Sequence, residues 1–259
     1  MRPFHSCLYQ WFLLPVVIFL LSSCHTYYLV SKCDNAQVRM SGEAGIGDSL
    51  TETIIAPYRR SVEADLSMVI GVTEGSLEKG QPEGALGNFV TDACLLKAND
   101  YFQAGNAIKP DFCFLNNGGL RTALPKGNIT KQKIFELMPF ENELVCIMIH
   151  GSDLKKLFDM MSAKDGMPVS NASYAIAGKK SANVLVGGMP VDTSRIYSVL
   201  TSDYLAAGGD GLNTLQKITL QKKLLNIKVR DAIIQYISDE HAKGHIIKIP
   251  AGGRITKQP

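Results

Sequence analysis

Apolar residues recur at helical spacing in four long segments of this chain. Asn88 and Ser152 have side chains that favour helix N-termini, so they are the expected N-cap residues of the second and third helices. Thr130 is expected to cap a shorter helix. Leu96 is expected on the inner face of the second helix, and Gly244 is placed to end the last one. The long helices are predicted at about residues 50–66, 88–96, 152–161 and 229–237.

Short apolar runs between these helices predict strands. Residues 143–149 are apolar almost throughout, which is typical of a strand that is covered on both faces. A hairpin is predicted around Gly178-Lys179-Lys180-Ser181. Because helices and strands are interleaved without strict alternation, the pattern favours an α+β fold, a mixed β-sheet packed with helices. Further strands are predicted at residues 68–73, 111–115 and 196–201.

The N-terminal segment has the features of a signal peptide. Arg2 supplies a positive charge, and the apolar run from Trp11 to Leu21 is too short for a bilayer, which needs about 20 residues. The sequence Leu21-Ser22-Ser23-Cys24 resembles a bacterial lipobox, so Cys24 is expected to carry a lipid as the first residue of the mature chain. The alternative is an ordinary signal peptide followed by a chance cysteine.

These features predict the organisation and the location of the chain. We expect a signal peptide at residues 1–23, a lipid-anchored tether at 24–47 and a single domain at 48–259. A lipid on the tether would hold this domain at a membrane of the bacterial cell envelope, facing the periplasm or the cell surface.

The composition narrows the choice of partners. With 27 Lys and Arg against 24 Asp and Glu, the formal net charge is +3, which gives no reason to expect nucleic-acid binding. The cysteines after Cys24 show no C-x-x-C spacing, so neither a disulfide framework nor a zinc site is expected. Cys94, Cys113 and Cys146 lie in apolar segments and are expected to be buried free thiols.

Two glycine-rich segments carry the candidate chemistry. In the first, residues 202–212, the glycines around Asp210 allow a positive φ and the close approach of a ligand. The Asp210 carboxylate can accept hydrogen bonds from ribose hydroxyls. In the second, residues 115–121, Asn116 has the donor and acceptor needed at the edge of a heterocycle, and Arg121 has planar donors that suit phosphate or carboxylate.

Two aromatic residues are candidates for binding a base. Phe140 lies in Met-Pro-Phe-Glu-Asn, and Tyr204 lies in the same segment as Asp210. Placed face to face they would clamp a flat ring, and stacking contributes about 1–3 kcal/mol per base in nucleic-acid complexes. From the residues alone, structural roles are the commoner outcome: a surface ion pair for Arg121, the core for both aromatic residues, and a turn for Asp210.

Several motifs, taken in order, resemble the C-terminal domain of bacterial and animal 5'-nucleotidases. The similarity runs from about Leu50 to Ile255, nearly the whole predicted mature chain, and implies the fold of that domain. Leu86–Ala93 resembles the domain's first helix. The other matching motifs are Asn116–Arg121, Gly127–Thr130, Met138-Pro139-Phe140, Gly151 with Leu154 and Phe158, and Asp203–Gly211.

The resemblance implies binding roles for particular residues. In those enzymes this domain holds the nucleoside, with two aromatic rings around the base, and Phe140 and Tyr204 match those rings. Other matches are to a phosphate-binding arginine, an asparagine beside the base and a ribose-binding aspartate, while a glycine allows backbone approach. The expected substrate-binding residues are Asn116, Gly119, Arg121, Phe140, Tyr204 and Asp210, with no catalytic residue and no metal ligand.

The chain departs from the family pattern at several positions. Tyr204 stands where phenylalanine is common, and Asn117 replaces a glycine. Gln81-Pro82-Glu83 stands where other members have an arginine that binds phosphate. Phosphate affinity is therefore expected to be weaker than in full-length relatives.

The resemblance also implies a missing activity. Full-length relatives place a dimetal phosphatase domain before this one, in which two metal ions activate the attacking oxygen. After the predicted signal peptide, the histidines are His25, His150, His241 and His245, which do not form that domain's metal-binding motifs. No cofactor is expected in this chain, and a divalent metal pair is expected only in a partner phosphatase.

Three hypotheses follow for the function. The leading one is the nucleotide-recognition half of a split 5'-nucleotidase, which hydrolyses nucleoside 5'-monophosphates or related phosphoesters together with a separate dimetal phosphatase chain. The alternative is a non-catalytic envelope lipoprotein that binds nucleosides or nucleotides. The third is a domain that has lost ligand binding and only mediates contacts.

Overall fold

The computed structural model describes residues 29, 32, 49–104 and 109–258. The predicted signal peptide and Cys24 lie outside the described residues, as does the predicted tether apart from Leu29 and Lys32. The chain divides into two units, Met1–Glu52 and Thr53–Pro259. None of the helices in the described ranges combines the length and the apolar character that a membrane span requires.

The predicted helices are present, and two short α-helices, Asp203–Ala206 and Asn213–Ile218, follow the last predicted strand. Single turns of 3₁₀-helix lie at Asn117–Gly119 and Gly209–Gly211, within the two glycine-rich segments. Among the described residues the α-helices are α1 (Ser49–Leu66), α2 (Ala85–Ala104), α3 (Lys131–Leu137), α4 (Gly151–Ala163), α5 (Asp203–Ala206), α6 (Asn213–Ile218) and α7 (Val229–Ala242).

The strands form three sheets. A five-stranded sheet has the order β10-β4-β9-β2-β5, a four-stranded sheet the order β11-β6-β7-β8, and β1 pairs with β3. In the five-stranded sheet β2 and β9 are parallel and the other neighbours are antiparallel, so the predicted mixed sheet is confirmed. The strands are β1 (Val69–Thr73), β2 (Phe112–Phe114), β3 (Gly127–Thr130), β4 (Glu143–His150), β5 (Val169–Ser170), β6 (Ala172–Ala177), β7 (Lys180–Val186), β8 (Met189–Pro190), β9 (Ile196–Ser202), β10 (Thr219–Lys228) and β11 (Ile255–Lys257).

Helices cover the five-stranded sheet on both faces. Leu144 and Cys146 of β4 pack in one core with α2 and α7, while Val145 and Ile147 pack in a second core with α4 and the four-stranded sheet. This alternation explains why the β4 sequence is apolar almost throughout. Each fully buried Leu, Ile or Val side chain stabilises the fold by about 1.5–3 kcal/mol, so burial on both faces stabilises the sheet that carries the loops.

The predicted buried thiols are confirmed. Cys94, Cys113 and Cys146 are buried and free. Burial raises the pKa of the Cys94 thiol to about 12, so this side chain stays protonated and packs as a small apolar group.

Two predicted helix starts are wrong, and one is confirmed. α2 begins at Ala85, so Asn88 lies inside the helix, where its side-chain amide donates to the Ala251 carbonyl oxygen at 3.2 Å. α4 begins at Gly151, so Ser152 is not its N-cap residue. Thr130 does cap α3, since its hydroxyl accepts a hydrogen bond from the Lys133 N–H at 3.3 Å.

Of three further predictions, one is wrong and two are confirmed. Leu96 is 48% exposed, so its predicted place on the inner face of α2 is wrong, and the buried neighbour is Leu95. The predicted hairpin is confirmed by β6 and β7, which meet at Gly178 with a φ of 62°. Gly244, with a φ of 76°, follows the end of α7 as predicted.

Candidate functional site

Three loops meet at one edge of the five-stranded sheet because of strand direction and register. β4 and β9 are antiparallel with Leu144 opposite Ser202, so the loop before β4 and the loop after β9 lie side by side. β2 runs parallel to β9, with Cys113 opposite Leu200, so the loop after β2 reaches the same edge. This is the crevice at strand ends where ligands commonly bind in sheets covered by helices.

The three loops enclose a cavity of about 360 Å³, here called the sheet-edge cavity. All six residues predicted to bind substrate line it. Gly118 and Asn142 line it as well, and sequence reasoning missed both; the polar Asn142, two residues after Phe140 and just before β4, was the available signal for the second. The lining residues are Asn116, Gly118, Gly119, Arg121, Phe140, Asn142, Tyr204 and Asp210.

The two aromatic rings at this cavity are exposed to solvent. Phe140 is 40% exposed and Tyr204 is 45% exposed, so neither is a core residue. Large aromatic surfaces placed together at a cavity are available for contact with a flat apolar group.

The loop that carries Phe140 is tied to the start of α7. Glu141 forms ion pairs with Lys228 and with Arg230, a residue that is itself buried. The Val229 N–H donates to the Asn142 carbonyl oxygen at 2.9 Å. Hydrogen bonds from the two cations lower the pKa of Glu141 to about 2, so this carboxylate is ionised at neutral pH. The loop is thus anchored to the start of α7 by contacts at Glu141 and Asn142, the two residues that follow Phe140.

Asp203 joins the two aromatic segments. One of its carboxylate oxygens, Oδ1, accepts a hydrogen bond from the Tyr204 N–H at 2.7 Å and another from the Glu143 N–H at 3.2 Å. Glu143 begins the strand that follows Phe140, so the same carboxylate fixes the backbone beside both rings. The Ser202 hydroxyl caps α5 by accepting a hydrogen bond from the Leu205 N–H at 3.2 Å.

Asp210 lies at the wall of the cavity in a left-handed backbone conformation. Its φ is 52°, which non-glycine residues adopt rarely and Asp more often than most. Its Oδ2 accepts a hydrogen bond from Asn116 Nδ2 at 2.6 Å, and its Oδ1 accepts one from the Tyr204 hydroxyl at 2.9 Å. Gly209 lies directly against the Tyr204 ring, where a Cβ atom would come within 2.5 Å of ring carbons.

Arg121 supplies the positive charge at the cavity. Its guanidinium donates a long hydrogen bond of 3.4 Å to the Gly118 carbonyl oxygen. Among residues 49–104 and 109–258, no carboxylate lies within ion-pair distance of it. Gly119 is buried beside it, and a Cβ there would be 3.0 Å from Asn116 Oδ1, so a larger residue would displace Asn116.

The segment Gln81-Pro82-Glu83 has a different role at each end. Glu83 is engaged elsewhere, since its carboxylate accepts hydrogen bonds from the Gly253 N–H at 2.8 Å and from the Arg254 N–H. Gln81 lines a smaller cavity of about 250 Å³ beside the sheet-edge cavity, and Asn116 and Asp210 belong to both cavities.

The described residues do not fit a dimetal centre. In the two long described stretches, no group of three His, Cys, Asp or Glu side chains is arranged to hold a metal ion. His150 is the last residue of β4, whereas His245 lies beyond α7 and is hydrogen-bonded to Glu240 at 2.8 Å. The sheet-edge cavity presents two aromatic faces, a carboxylate, side-chain amides and a guanidinium, which are groups suited to holding a ligand.

The family model described as 5'-nucleotidase, C-terminal domain, matches residues 69–217. The chain belongs to the 5'-nucleotidase C-terminal domain family. This membership confirms the family that the motifs indicated. Protein UshA of Yersinia enterocolitica is 29% identical over 163 residues, which is 61% of this chain and 29% of the relative. The 5'-nucleotidase of Vibrio vulnificus is 25% identical over 223 residues, 81% of this chain and 37% of the relative.

Solved structures agree with the 5'-nucleotidase C-terminal domain fold. A 5'-nucleotidase precursor from Thermus thermophilus superposes with a TM-score of 0.66 and 25% identity, over 81% of this chain and 44% of that one. The NAD nucleotidase of Haemophilus influenzae superposes with a TM-score of 0.62 at 19% identity, over 82% of this chain and 42% of that one, which supports the fold alone. In each comparison the chain spans less than half of the relative's length.

Proposed function

We propose that this chain is the nucleotide-recognition part of a 5'-nucleotidase whose hydrolytic part is a separate dimetal phosphatase chain. The observation that carries this proposal is the sheet-edge cavity, where two exposed rings, a carboxylate and a guanidinium without a carboxylate partner among the described residues meet. The family membership supports the same class of ligand.

Each group in the cavity fits one part of a nucleoside monophosphate. The base would stack between Phe140 and Tyr204, with its polar edge near the amide of Asn116 or Asn142. The ribose hydroxyls would donate to Asp210, and the phosphate would meet Arg121 through charge-assisted hydrogen bonds. The volume of about 360 Å³ lies within the usual range for small-molecule sites.

Hydrolysis is assigned to a partner because the described residues do not fit a metal pair. When bound in such a partner, the metal ions would activate the attacking oxygen and stabilise charge on phosphorus. This chain would hold the base and the sugar, orient the phosphate outward and exclude water from the rings. The partner would dock over the face that carries Arg121, Phe140, Tyr204 and Asp210.

The location belongs to the proposal as well. A lipid on Cys24 would tether the domain to a membrane of the bacterial cell envelope, where extracytoplasmic nucleotides are met. Mass spectrometry of the chain purified from membranes would show a diacylglyceryl group on Cys24, and an unmodified N-terminus upstream of Cys24 would contradict this anchor.

Phosphate release from AMP tests the split of activity. The full chain is assayed alone, then with the metallophosphatase encoded nearest to it, and then with that partner and a Phe140→Leu, Tyr204→Leu double variant. We expect release only from the pair with intact rings. Strong activity of the chain alone would refute the division between two chains.

Calorimetry separates this proposal from its alternative. Binding of AMP and adenosine by the chain, together with stimulation of the phosphatase, supports the recognition half. Binding without any stimulation supports the alternative, a tethered receptor for nucleosides or nucleotides. No binding of either ligand would leave the domain as a mediator of contacts and would overturn both.

A further inference from the structure

The hydroxyl of Tyr204 takes part in two hydrogen bonds with a single residue, Asp210. It donates a hydrogen bond to Asp210 Oδ1 at 2.9 Å, and it accepts one from the Asp210 N–H at 3.1 Å. These two bonds close a small ring between a side chain and the residue six positions later. A phenylalanine would give the same aromatic face but neither bond.

The hydroxyl acts on a residue whose conformation needs support. Asp210 has a φ of 52°, so its backbone lies in the sparsely populated left-handed region. The Tyr204 hydroxyl satisfies its N–H, and Asn116 Nδ2 holds the other carboxylate oxygen at 2.6 Å. The carboxylate is therefore fixed at both oxygens, by donors from two different loops.

Fixing the carboxylate leaves a defined acceptor capacity. An ionised carboxylate has about four acceptor positions, two on each oxygen. Tyr204 occupies one position on Oδ1 and Asn116 occupies one on Oδ2. One position remains on each oxygen, and two adjacent free positions match the two hydroxyls of a cis-diol.

We infer that the Tyr204 hydroxyl is a specificity-determining positioning group that makes this site select ribonucleosides and ribonucleotides over their 2'-deoxy forms. The inference rests on the proposed function, in which Asp210 faces the sugar. A carboxylate held in one orientation cannot turn to follow a single hydroxyl, so a 2'-deoxyribose leaves one acceptor without a donor. Hydrogen bonds to charged groups are the stronger kind, so this loss corresponds to about a tenfold difference in affinity.

The test is calorimetric titration of the full chain with adenosine, 2'-deoxyadenosine and adenine. We expect the wild type to bind adenosine about tenfold more tightly than 2'-deoxyadenosine. Tyr204→Phe keeps the ring and should lower this ratio to about twofold, mainly through weaker adenosine binding, while adenine affinity stays the same. Tyr101→Phe is the matched control, because Tyr101 is partly exposed and lies outside the lining of the cavity, and it should leave the ratio unchanged.

The outcomes separate this inference from the function on which it rests. Because each ratio compares two ligands on one variant, partial loss of folded protein does not change it. An unchanged ratio in Tyr204→Phe, or a wild-type ratio near one, overturns the role of the hydroxyl and leaves nucleoside binding intact. If the wild type binds neither nucleoside, the proposed function fails and the inference fails with it.

Discussion

Two cavities of this domain differ in volume and in whether their charged groups are already paired within the protein. The larger one, of about 730 Å³, is called here the helix cavity because α2 and α7 line it together with the segment His245–Pro250. The sheet-edge cavity has about half that volume. If volume alone identified a binding site, the helix cavity would be the candidate.

The carboxylates of the helix cavity are already paired. Hydrogen bonds from Lys243 and His245 lower the pKa of Glu240, which stabilises its ionised form within the fold. Glu74 accepts a hydrogen bond from the Ile249 N–H at 3.0 Å, and Asp92 accepts one from the Arg254 guanidinium at 2.7 Å. The contacts of His245, Ile249 and Arg254 hold the C-terminal segment to α7, to the residue after β1 and to α2, so they stabilise the fold.

The sheet-edge cavity has the opposite character. Arg121 has no carboxylate partner in the described part of the chain, and both aromatic rings are exposed. Asp210 has donors on both oxygens but retains acceptor capacity. The two cavities therefore differ in whether their polar and aromatic groups are free to contact a ligand. This difference, more than volume, favours the sheet-edge cavity as the binding site.

The largest expected effect comes from removing the aromatic faces. Phe140→Leu and Tyr204→Leu keep apolar volume but lose the flat ring, so each should weaken adenosine binding about tenfold, and the double variant should fall below calorimetric detection. Tyr236→Leu, the matched change in the helix cavity, should leave the affinity within about twofold. An equal loss in Tyr236→Leu would assign the ligand to the helix cavity.

Removing the charge of Asp210 should have the next largest effect. Asparagine tolerates the left-handed backbone about as well as aspartate, so Asp210→Asn changes the charge with little strain. Adenosine affinity should fall about tenfold, whereas adenine affinity should stay unchanged, because only the sugar contacts this residue. Glu74→Gln in the helix cavity is the control, and a loss of adenine binding in Asp210→Asn would contradict the sugar contact.

Arg121 should affect only ligands that carry phosphate. The wild type should bind AMP about fivefold more tightly than adenosine at low salt, and Arg121→Met should remove this preference. The expected preference for AMP is modest because the Arg121 guanidinium is exposed, so solvent and salt screen its ion pair with the phosphate. Titrations at two salt concentrations, with Lys248→Met in the helix cavity as control, measure it. A preference for AMP that survives in Arg121→Met would place the phosphate elsewhere.

Glu141 should have the smallest effect on binding, since it acts through the Phe140 loop. Glu141→Gln loses its ion pairs to Lys228 and Arg230, and adenosine affinity should fall about two- to threefold. The exposed Glu136→Gln is the control. Unchanged affinity would show that the loop is held without these ion pairs.

The contribution of Glu141 to the stability of the fold should depend on pH. The pKa of Glu141 is lowered to about 2 from its ordinary value of 4.5, so its contribution to stability is present above about pH 4.5 and is lost as the pH falls toward 2. The melting temperature of the wild type should exceed that of Glu141→Gln at pH 7, and this difference should shrink below about pH 4.5. A constant difference down to low pH would contradict the assignment.

The sequence predicted the elements whose residues carry a strong local pattern. The apolar run of β4 and the hairpin of β6 and β7 are examples, since burial on both faces and a glycine turn leave a clear signal. β10 was not predicted, because it is an edge strand in which lysines alternate irregularly with leucines, and Leu220 and Leu224 are exposed. Asn88 was misassigned because its amide is used in other contacts, to Glu83 at 2.6 Å and to the Ala251 carbonyl oxygen at 3.2 Å, within a helix that begins three residues earlier.

For the candidate site, the sequence predicted the residue types but not how the fold brings them together. Motif resemblance supplied the residue types, but the spacing of Phe140 and Tyr204 in the sequence says nothing about their distance. The register of β4 against β9 brings them together, and Asp203 fixes both segments. The tie between Glu141 and the start of α7 joins residues almost ninety positions apart, and such partners are not visible in a local pattern.

A crystal structure of the full chain with AMP tests the central claim most directly. We predict adenine between the rings of Phe140 and Tyr204, ribose hydroxyls within hydrogen-bond distance of Asp210, and the phosphate at Arg121. AMP bound in the helix cavity, with the sheet-edge cavity free of ligand, would contradict the account.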